Sequence, residues 1–300
     1  MKIYNLGSLN IDYVYDVDHF VCSGETLSSS DMHIFPGGKG LNQSVALSKA
    51  GAKVIHGAVL GNNGSLLSNT LSSAGVDLSR LKYVDSPCGH AIIQVNKKGQ
   101  NCILLFGGTN YQLDRNYIEE FLSDAEPDDI LVLQNEVNSL DIIFEIAHSK
   151  NMQIAFNPSP YSEHLKELPL SYVKWWFCNE IEGSALFGST EPIEIANNFS
   201  KQYPNSNLIL TLGSNGSIFK NSSVMLNQKI YNVEVVDTTA AGDTFTGYFI
   251  QAITSGETPA KALEIASKAS AIAVSRAGAA PSIPYADEVL DFHAAVFYDA

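Results

Sequence analysis

The sequence predicts an α/β protein built around a mostly parallel β-sheet. Short β-rich apolar segments recur along the chain, and helical patterns lie between several of them. Strands that alternate with helices are typical of a parallel sheet covered on both faces. The strand segments are Lys2–Gly7, Lys53–Val59, Ile130–Gln134, Gln153–Phe156, Lys174–Cys178 and Leu208–Leu212. The helical segments are Leu41–Ala50, Ser139–Lys150, Glu191–Gln202, Thr244–Ser255 and Pro259–Arg276.

Two segments break this alternation and predict a second, smaller β-sheet. Residues 13–35 contain short strand patterns around a turn at Gly24. Residues 90–106 alternate between apolar and polar side chains around the turn Lys97–Gln100, as a β-hairpin does. A small antiparallel sheet inserted in an α/β domain often covers a binding site. The alternative is a hairpin at the edge of the main sheet.

The composition of the chain excludes several classes of partner. The 300 residues include 18 Lys and Arg against 32 Asp and Glu, which gives a formal net charge of −14. An acidic chain without a basic stripe is a poor partner for nucleic acid or for an anionic membrane surface. No apolar run approaches the roughly 18 residues that a membrane span requires. The four cysteines lack zinc-site spacing, so we expect reduced thiols in a cytoplasmic protein.

The most informative stretch is Val236–Gly247 (VDTTAAGDTFTG), between a strand pattern and an apolar helix. Ala240, Ala241 and Gly242 have almost no side chain, so amide groups at the start of the helix can approach an anion closely. Asp243 follows them directly. A carboxylate beside such an anion hole can accept the proton of a hydroxyl that attacks phosphorus. The alternative role for Asp243 is that of a helix N-cap.

A second stretch, Phe35–Gln43 (FPGGKGLNQ), places three glycines directly before a helical pattern. Glycine permits positive φ and close approach of the backbone, so this loop can wrap a small polar ligand. Asn42 would lie in the first turn of the helix and offer its amide. The alternative is a tight strand-to-helix turn. The loop has neither the P-loop pattern nor GxGxxG, which weakens the P-loop NTPase and dinucleotide-binding hypotheses.

A third stretch, Gly7–Asp12 (GSLNID), comes at the end of the first predicted strand. Ligands of open parallel sheets bind at the carboxyl ends of the strands. Asn10 and Asp12 are two residues apart and would point the same way in an extended chain. A carboxylate with an amide is suited to sugar hydroxyls, while the alternative is an Asx turn that closes the strand.

Together these stretches resemble the ribokinase branch of the PfkB carbohydrate kinase family. Gly7–Asp12 resembles the pattern GSxNxD, the glycine-rich loop resembles GGKGxNQ, and Asp237–Gly247 resembles DTxAAGDTFxG. The resemblance implies a three-layer fold with a central, mostly parallel sheet between helices and a small β-sheet lid. It implies a single kinase domain over residues 1–300, with the lid formed by about 13–35 and 90–106. It also implies a homodimer that associates through the lid.

The resemblance implies roles for individual residues. The general base would be Asp243, and the anion hole would be Ala240, Ala241 and Gly242. The implied sugar contacts are Asn10, Asp12, Gly38, Lys39, Asn42, Ala91 and Glu136. The implied ATP contacts are Asn179, Thr211, Leu212, Gly213, Ser214, Asn215, Gly216 and Gly242. Glu182 would hold Mg²⁺ through water. The implied K⁺ site consists of Asp237, Thr239, Ala273, Arg276, Gly278 and Ser282.

The implied activity is transfer of the γ-phosphoryl group of ATP to the primary hydroxyl of a pentose, with Mg²⁺ and K⁺ as cofactors. The complete GGKGxNQ loop and the Ala-Ala-Gly sequence favour D-ribose as the acceptor. A nucleoside kinase is an alternative, as is a family kinase for deoxyribose, fructose or 2-keto-3-deoxygluconate. A sugar-binding protein without catalysis is a further alternative. Because helix amides and metal ions would hold the phosphates, few cationic side chains are needed, and we expect Lys39 and Arg276 to matter most.

Two positions depart from the family pattern. The family commonly carries GDDxxG near the second strand, where this chain has GNNGSL and ends the pattern with Leu66. We therefore expect a local difference in that turn. His90 stands beside Ala91, at a lid position where a small apolar residue is usual. We expect His90 to be a solvated lid residue, and its presence leaves room for a sugar other than ribose.

Overall fold

The computed structural model describes residues 1–294 of the chain. Residues 295–300, which the sequence prediction included in its single domain, lie outside the described residues. The strands of the described part are β1 (Ile3–Leu6), β2 (Asn10–Val17), β3 (Asp31–Gly37), β4 (Val54–Gly57), β5 (Val59–Leu60), β6 (Lys82–Tyr83), β7 (Gly89–Asn96), β8 (Asn101–Phe106), β9 (Ile130–Gln134), β10 (Gln153–Asn157), β11 (Val173–Asn179), β12 (Asn207–Thr211), β13 (Ser217–Lys220) and β14 (Met225–Gln228).

The α-helices of residues 1–294 fall mainly between these strands. They are α1 (Lys39–Lys49), α2 (Ser65–Ser73), α3 (Arg115–Phe121), α4 (Leu140–Ser149), α5 (Glu180–Phe187), α6 (Pro192–Gln202), α7 (Ala241–Thr254), α8 (Pro259–Val274) and α9 (Ala286–Leu290). Each of these helices is too short or too polar to span a membrane. All six predicted strand segments and all five predicted helical segments are confirmed, with boundaries that differ by a few residues.

The large sheet has eight strands in the order β14-β13-β12-β11-β10-β9-β1-β4. The strands from β12 to β4 are parallel, while β13 and β14 are antiparallel. Side chains of one strand alternate between the two faces. In β9, Ile130 and Val132 join a core with helices α1, α2, α7 and α8, while Leu131 and Leu133 join a core with α3, α4 and α6. The predicted three-layer arrangement, helices on both faces of a mostly parallel sheet, is therefore confirmed.

The small sheet consists of four strands in the order β3-β2-β7-β8. Strands β7 and β8 form the predicted hairpin, with antiparallel pairs from His90 and Phe106 to Val95 and Asn101. The alternative of an edge hairpin on the main sheet is wrong, because β7 pairs with β2 and not with a strand of the large sheet. Strand β2 begins at Asn10, earlier than the sequence indicated, since the chain leaves β1 at Leu6 and enters the small sheet after only three residues.

Helices α1 and α7 pack unusually closely, and a glycine makes this possible. A Cβ placed on Gly247 would lie 2.5 Å from the Cβ of Ala46 and 2.8 Å from the amide nitrogen of Leu47. Any larger side chain at this position would push the two helices apart. Gly247 lies one turn after Asp243, and Ala46 lies one turn after Asn42. The close packing therefore brings the first turns of the two helices together.

Candidate active site

The predicted site residues gather where the parallel strands of the large sheet end. Glu136 follows β9, Asn179 ends β11, and Thr211 ends β12. Neighbouring parallel strands place their carboxyl ends at the same edge of a sheet, which is where ligands of such sheets bind. Helices α1 and α7 begin at this edge and add Asn42 and Asp243. The structure thus collects residues that are far apart in the sequence.

Asp243 lies in the first turn of α7 and is buried, with 8% of its surface exposed. Asn42 Nδ2 donates to its Oδ2 at 3.0 Å, and Gln43 Nε2 donates to its Oδ1 at 2.9 Å. Burial raises the pKa of Asp243, while Lys39 and the two amide donors oppose that rise. The N-cap interpretation of Asp243 is wrong, because Ala240 occupies the cap position and no side chain caps the helix.

The chain just before Asp243 presents backbone amides without partners. Ala240 adopts a left-handed conformation with φ of 59°, which turns the chain sharply into the helix. The amide of Ala241 donates to the carbonyl of Thr238 at 3.2 Å. The amides of Ala240, Gly242 and Asp243 have no hydrogen-bond partner within residues 1–294. Unpaired N–H groups at a helix N-terminus attract anions, so this turn can hold phosphoryl oxygens.

Lys39 and Glu136 form the second charged group of the site. Lys39 Nζ lies 2.9 Å from Glu136 Oε1, and the Lys39 amide donates to Glu136 Oε2 at 3.0 Å. Ser8 Oγ also donates to Glu136 Oε2, and it accepts from the amide of Gly40. Burial lowers the pKa of Lys39, but the carboxylates of Glu136 and Asp243 outweigh it, so the net pKa is raised. Lys39 therefore remains a cation inside a buried group of carboxylates.

Asn10 is buried at the start of β2, and a second buried asparagine fixes its side chain. Asn110 Nδ2 donates to Asn10 Oδ1 at 2.7 Å, and Asn110 Oδ1 accepts from the amide of Leu9. Because its oxygen is occupied, the Asn10 amide nitrogen is left as a donor for a ligand. The Asx-turn alternative is wrong, because Asn10 and Asp12 both lie in a paired strand.

Asp12 differs from the other acidic residues of the site because its carboxylate accepts no hydrogen bond within the described residues. It pairs in register with Phe35 and Ala91, so all three face the same side of the small sheet. Gly37 leaves room for the carboxylate, since a Cβ there would lie 2.0 Å from Asp12 Oδ2. Burial and the nearby Glu136 raise the pKa of Asp12 to about 6, against the effect of Lys39.

His90 lies on the opposite face of the small sheet from Ala91 and Asp12, because adjacent residues of a strand alternate. It is half-buried and packs against the rings of Tyr13 and Phe106, with centroid distances of 5.9 and 5.0 Å. The side chain expected to be solvated is therefore only partly exposed to solvent. A role for His90 in selecting the sugar loses its support, since its side chain does not share the face of Asp12.

A cavity of about 240 Å³ lies directly beside Asp243 and the unpaired amides. Glu182 and Asn179 form its far side through a capping box at the start of α5. Glu182 Oε2 accepts from the amide of Asn179 at 2.7 Å, and its Oε1 accepts from Ser159 Oγ at 2.5 Å. The lining residues are Lys39, Asn157, Ser159, Phe177, Cys178, Asn179, Glu182, Thr211, Thr238, Ala240, Ala241, Gly242, Asp243 and Thr246.

The predicted nucleotide loop is only partly in contact with this cavity. Thr211 lines it, whereas Leu212, Gly213, Ser214, Asn215 and Gly216 do not. The loop forms a tight turn in which the amide of Leu212 donates to the carbonyl of Gly216 at 2.8 Å. Gly213 and Gly216 have positive φ, which makes this turn possible. The turn lies at the end of β12 and extends the edge of the site beyond the cavity.

Asp237 connects the loop before α7 with the loop after α8. Its Oδ1 accepts from the amide and the hydroxyl of Thr239, and its Oδ2 accepts from the amide of Gly278 at 3.0 Å. Burial raises the pKa of Asp237, but these hydrogen bonds outweigh it and leave the net pKa lowered. The carboxylate is therefore ionised and held in place beside the anion hole.

The remaining members of the predicted cation site lie near this loop, but Arg276 directs its charge elsewhere. Its Nη2 lies 2.5 Å from Glu288 Oε1, and its amide donates to the carbonyl of Ala273. Ser282 is buried and donates to the carbonyl of Ala279 at 2.8 Å. The guanidinium of Arg276 thus has its partner in α9, and the importance of Arg276 for the site stays a prediction. Of the two cations singled out in the sequence, Lys39 is the one that lines the cavity.

A larger cavity of about 650 Å³ lies at β6 and α3 and contains none of the predicted residues. Its two cations are already paired, Arg80 with Asp124 at 2.8 Å and Lys82 with Asp114 at 2.7 Å. The carboxylates that line it, Asp114 and Glu120, are exposed, whereas Asp243 in the smaller cavity is buried. We therefore assign the chemistry to the cavity beside Asp243.

The sequence left four supporting residues without a role. Gln43 lies inside the glycine-rich motif but was not assigned a contact, and Ser159 lies in the Asn157–Pro160 match. Ser8 was part of the GSLNID motif, which gave a signal for its position but not for its bond to Glu136. Asn110 carried no recognisable signal, because it reaches Asn10 only through the folding of the small sheet.

Comparisons with known proteins agree with this geometry. The profile of the pfkB family carbohydrate kinases matches residues 2–286. The chain belongs to the PfkB family of carbohydrate kinases. It is 32% identical to the ribokinase of Haemophilus influenzae over 300 residues, with 96% of each chain covered. Family membership makes it a phosphotransferase that acts on the hydroxyl of a sugar.

Two solved structures resemble the PfkB fold of this chain closely. Cryptococcus neoformans ribokinase in complex with ADP superposes with a TM-score of 0.85 at 32% identity, covering 97% of this chain and 99% of that one. Arabidopsis thaliana ribokinase complexed with ribose and ATP gives a TM-score of 0.86 at 28% identity, with the same coverage. Both relatives span nearly the whole length of the chain.

Proposed function

We propose that this chain is an ATP-dependent ribose kinase that transfers the γ-phosphoryl group to the primary hydroxyl of D-ribose. The observation that carries the proposal is a buried carboxylate, Asp243, directly beside the unpaired amides of Ala240 and Gly242. A proton acceptor next to an anion hole is what phosphoryl transfer from ATP to an alcohol requires. The ribokinases related to this chain along its full length support the same activity and the same acceptor.

In the proposed reaction, the primary hydroxyl oxygen of ribose attacks the γ-phosphorus of ATP. The bond between the γ-phosphorus and the bridging oxygen breaks, and ADP leaves with that electron pair. Asp243 accepts the proton of the attacking hydroxyl. The amides of Ala240, Gly242 and Asp243 stabilise the charge on the transferred group, because they are already aligned and need no reorganisation. Ribose 5-phosphate and ADP are the products.

We assign the sugar contacts to side chains that still have a free donor or acceptor. Asp12 accepts no hydrogen bond, and the buried Asn42 Oδ1 has no partner among the described residues. Asn10 keeps its amide donor, Gly38 packs against the backbone of Ser8 and Asn10, and Ala91 shares the face of Asp12. The Lys39–Glu136 pair closes the same side. Sugar hydroxyls both donate and accept, so they match this mixed set of groups.

We assign the ATP contacts to the cavity and its edge, with Asn179, Thr211 and Gly242 in the lining and Leu212–Gly216 beside it. Glu182 fits a Mg²⁺ site through water, because it is a buried carboxylate in the lining of the cavity. Mg²⁺ prefers oxygen ligands and keeps several waters. When bound, Mg²⁺ would neutralise charge on the phosphates.

We assign K⁺ to the loop pair that Asp237 connects. The donor set consists of oxygen atoms, namely the Asp237 carboxylate, the Thr239 hydroxyl and nearby backbone carbonyls, which suits a hard monovalent cation. The proposed set comprises Asp237, Thr239, Ala273, Arg276, Gly278 and Ser282, with Arg276 contributing its backbone because its side chain pairs with Glu288. When bound, K⁺ would supply positive charge beside the anion hole.

We further propose that residues 1–300 form one kinase domain and that the small sheet is its lid, covering the sugar with the face of Asp12 and Ala91. The lid exposes large apolar side chains of β8, from Ile103 to Phe106, and of β3. Exposed apolar patches of this kind mark protein–protein contacts. A homodimer through the lid would bury them.

We also propose a cytoplasmic enzyme, consistent with its four free cysteines.

The test of the proposed activity is ADP release with a panel of acceptors, each measured with and without K⁺. The panel contains ribose, deoxyribose, fructose, 2-keto-3-deoxygluconate, adenosine and inosine. We expect the highest kcat/KM with ribose and a further increase when K⁺ replaces Na⁺. A strong preference for a nucleoside would contradict the acceptor assignment. Saturable ribose binding without ADP release would contradict the assignment as an enzyme.

A further inference from the structure

A chain of buried amides leads from the core of the protein to the Asp243 carboxylate. Gln43 Nε2 donates to Asp243 Oδ1 at 2.9 Å, and Gln43 Oε1 accepts from Gln134 Nε2 at 2.8 Å. Gln134 Nε2 also donates to Asn5 Oδ1 at 3.0 Å. Gln43, Gln134 and Asn5 are completely buried. Polar side chains are costly to bury unless they are hydrogen-bonded, and in this chain of three amides Gln134 Oε1 is the atom left without a partner among the described residues.

The bonds of this chain fix the direction in which Gln43 presents its amide. A glutamine side chain has an oxygen that only accepts and a nitrogen that only donates. Gln134 occupies the oxygen of Gln43, so the nitrogen of Gln43 is directed at Asp243. Asn5 is held in turn, because its Nδ2 donates to the carbonyl of Gly40 and to Ser44 Oγ. The carboxylate is therefore oriented from inside the core, not from the ligand side.

We propose that Gln43 is a positioning residue for the transfer reaction. Its side chain keeps the Asp243 carboxylate ionised and holds it in a productive orientation. Gln134 acts through Gln43. This inference rests on the proposed role of Asp243 as the general base. Asn42 also donates to Asp243, but we assign it a sugar contact as well. Gln43 has no such second role, because it is completely buried behind Asp243.

The charged groups around Asp243 set its protonation state together with Gln43. Lys39 of α1 lowers the pKa of Asp243, and Glu136 after β9 raises it. Glu182 of α5 acts on Lys39 from the far side of the cavity, and Asp12 of the small sheet lies near Glu136 and Lys39. Burial raises the pKa of Asp243 more than any of these groups changes it. Removal of one amide donor should therefore make protonation of Asp243 easier.

The first test is the pH dependence of kcat at saturating ribose for Gln43→Met, a change that keeps the volume and removes the donor. We expect kcat to fall about tenfold at pH 8, as for loss of a hydrogen bond to a charged group. The acidic limb of the kcat profile should move upward by about one pH unit. The ribose dissociation constant should change by less than kcat does. At saturating ribose, the acidic limb of kcat reports the titration of Asp243. Titration of Asp12 would change the KM for ribose and is therefore not seen in this limb.

Two further variants sharpen the test. Gln43→Glu places a second carboxylate beside Asp243, so the acidic limb should move further upward than in Gln43→Met. Gln134→Met should shift the limb in the same direction by a smaller amount. The double variant Gln43→Met with Gln134→Met should resemble Gln43→Met, because residues that act through one another are not additive.

The matched control is Val45→Ala, which changes another buried residue of the same turn of α1. Val45 lies in the apolar core and has no side-chain bond to Gln43, Gln134 or Asn5. We expect a lower melting temperature with an acidic limb that does not move. A fall in kcat by the same factor at every pH in the Gln43 variants, as for a general loss of structure, would overturn the proposal.

Asp243→Asn separates this proposal from the proposed function. If Asp243→Asn loses activity while Gln43→Met has the kcat and the pH profile of the wild type, the positioning role of Gln43 is wrong and the base assignment stands. If Asp243→Asn itself turns over at a near-normal rate, the base assignment is wrong and the positioning role falls with it.

Discussion

Two carboxylates of the candidate site, Asp243 and Asp12, differ in the hydrogen bonds that they accept. Asp243 lies where α1 and α7 are packed tightly, and Asn42 and Gln43 each donate a hydrogen bond to it. Asp12 lies on the small sheet and accepts no hydrogen bond within residues 1–294. Burial raises the pKa of both groups, and only Asp243 has donors that counter the rise.

Under the proposed function, this difference separates the chemical step from the choice of sugar. A carboxylate held by donors from the core has a fixed orientation before any ligand arrives, which suits a general base. A carboxylate without donors gains its partners from the hydroxyls of a ligand, which suits recognition. The rigid part of the site thus belongs to the large sheet and its helices, and the ligand-dependent part belongs to the small sheet.

The largest effect is expected for Asp243→Asn, which removes the carboxylate from the rigid part. We expect kcat to fall by a factor of about 10²–10⁴, the usual contribution of a general base. Ribose affinity should change only a few-fold, because Asn42 and Asp12 remain. ADP release and ribose binding by calorimetry measure the two quantities independently. A normal kcat would show that both carboxylates serve recognition.

The second-largest effect is expected for Gly247→Val, which disrupts the packing of α1 against α7 one turn after Asp243. A Cβ at this position already meets Ala46 at 2.5 Å, so the two helices must separate. We expect a loss of about 1–3 kcal/mol in the free energy of unfolding, as for other overpacked cores. Since Asn42 moves relative to Asp243, kcat should fall more than ribose affinity. The control is Gly256→Val, measured in the same denaturation experiment. Gly256 has open space around it, so this variant adds the same bulk without overpacking, and its positive φ adds strain of the backbone.

For Asp12→Asn we expect a smaller effect, and on affinity instead of rate. Loss of a charged acceptor for sugar hydroxyls should raise the KM for ribose roughly 10- to 100-fold. The value of kcat at saturating ribose should stay within a few-fold of the wild type. Steady-state kinetics with ribose as the varied substrate provide the test. A selective loss of kcat would contradict the division between the two carboxylates.

The same variant should be more stable than the wild type above pH 6 in the absence of ribose. The pKa of Asp12 is raised from 3.8 in the unfolded chain to about 6 in the folded protein. The cost of its ionisation is therefore absent below about pH 4, grows between pH 4 and 6, and is complete above pH 6. We expect a gain of about 1–3 kcal/mol at pH 7.5 and none at pH 3.5, measured by urea denaturation. A variant less stable than the wild type at pH 7.5 would contradict an unpartnered carboxylate.

The smallest effect is expected for Asn110→Leu, which frees the Asn10 side chain without touching the ligand-facing groups. The Asn10 amide could then rotate, so the KM for ribose should rise about three- to tenfold, as for one misplaced neutral hydrogen bond. The value of kcat should not change. Asn10→Ala provides the comparison, because the double variant should be no worse than Asn10→Ala itself.

The layers of the fold could be predicted because local signals carry them. The buried runs of β9 and β12 could be predicted as strands, and the motif around Asp243 placed the start of α7 within three residues. The register of the small sheet could not be predicted, since it depends on pairing between β2 and β7, whose residues are about 80 positions apart. The sequence therefore identified Asp12 but gave no sign that it lacks a partner.

The site was predicted where short motifs carry it and missed where distant residues support it. Asp243 and Lys39 come together at the starts of α7 and α1, and Glu136 meets Lys39 just after the end of β9. Asn110 fixes Asn10 from 100 residues away, and Gln134 reaches Gln43 from 91 residues away. Such bonds depend on tertiary packing. The partner of Arg276 was missed for a related reason, because Glu288 lies on a short helix that gave no strong pattern.

The most direct measurement is a ribose saturation curve for the wild type, Asp243→Asn and Asp12→Asn at pH 8, paired with ribose binding by calorimetry. We expect Asp243→Asn to bind ribose with nearly normal affinity and to lose kcat. We expect Asp12→Asn to keep kcat and to lose affinity. The reverse pattern, or equal losses of both quantities in both variants, would contradict the assignment of chemistry to Asp243 and of sugar recognition to Asp12.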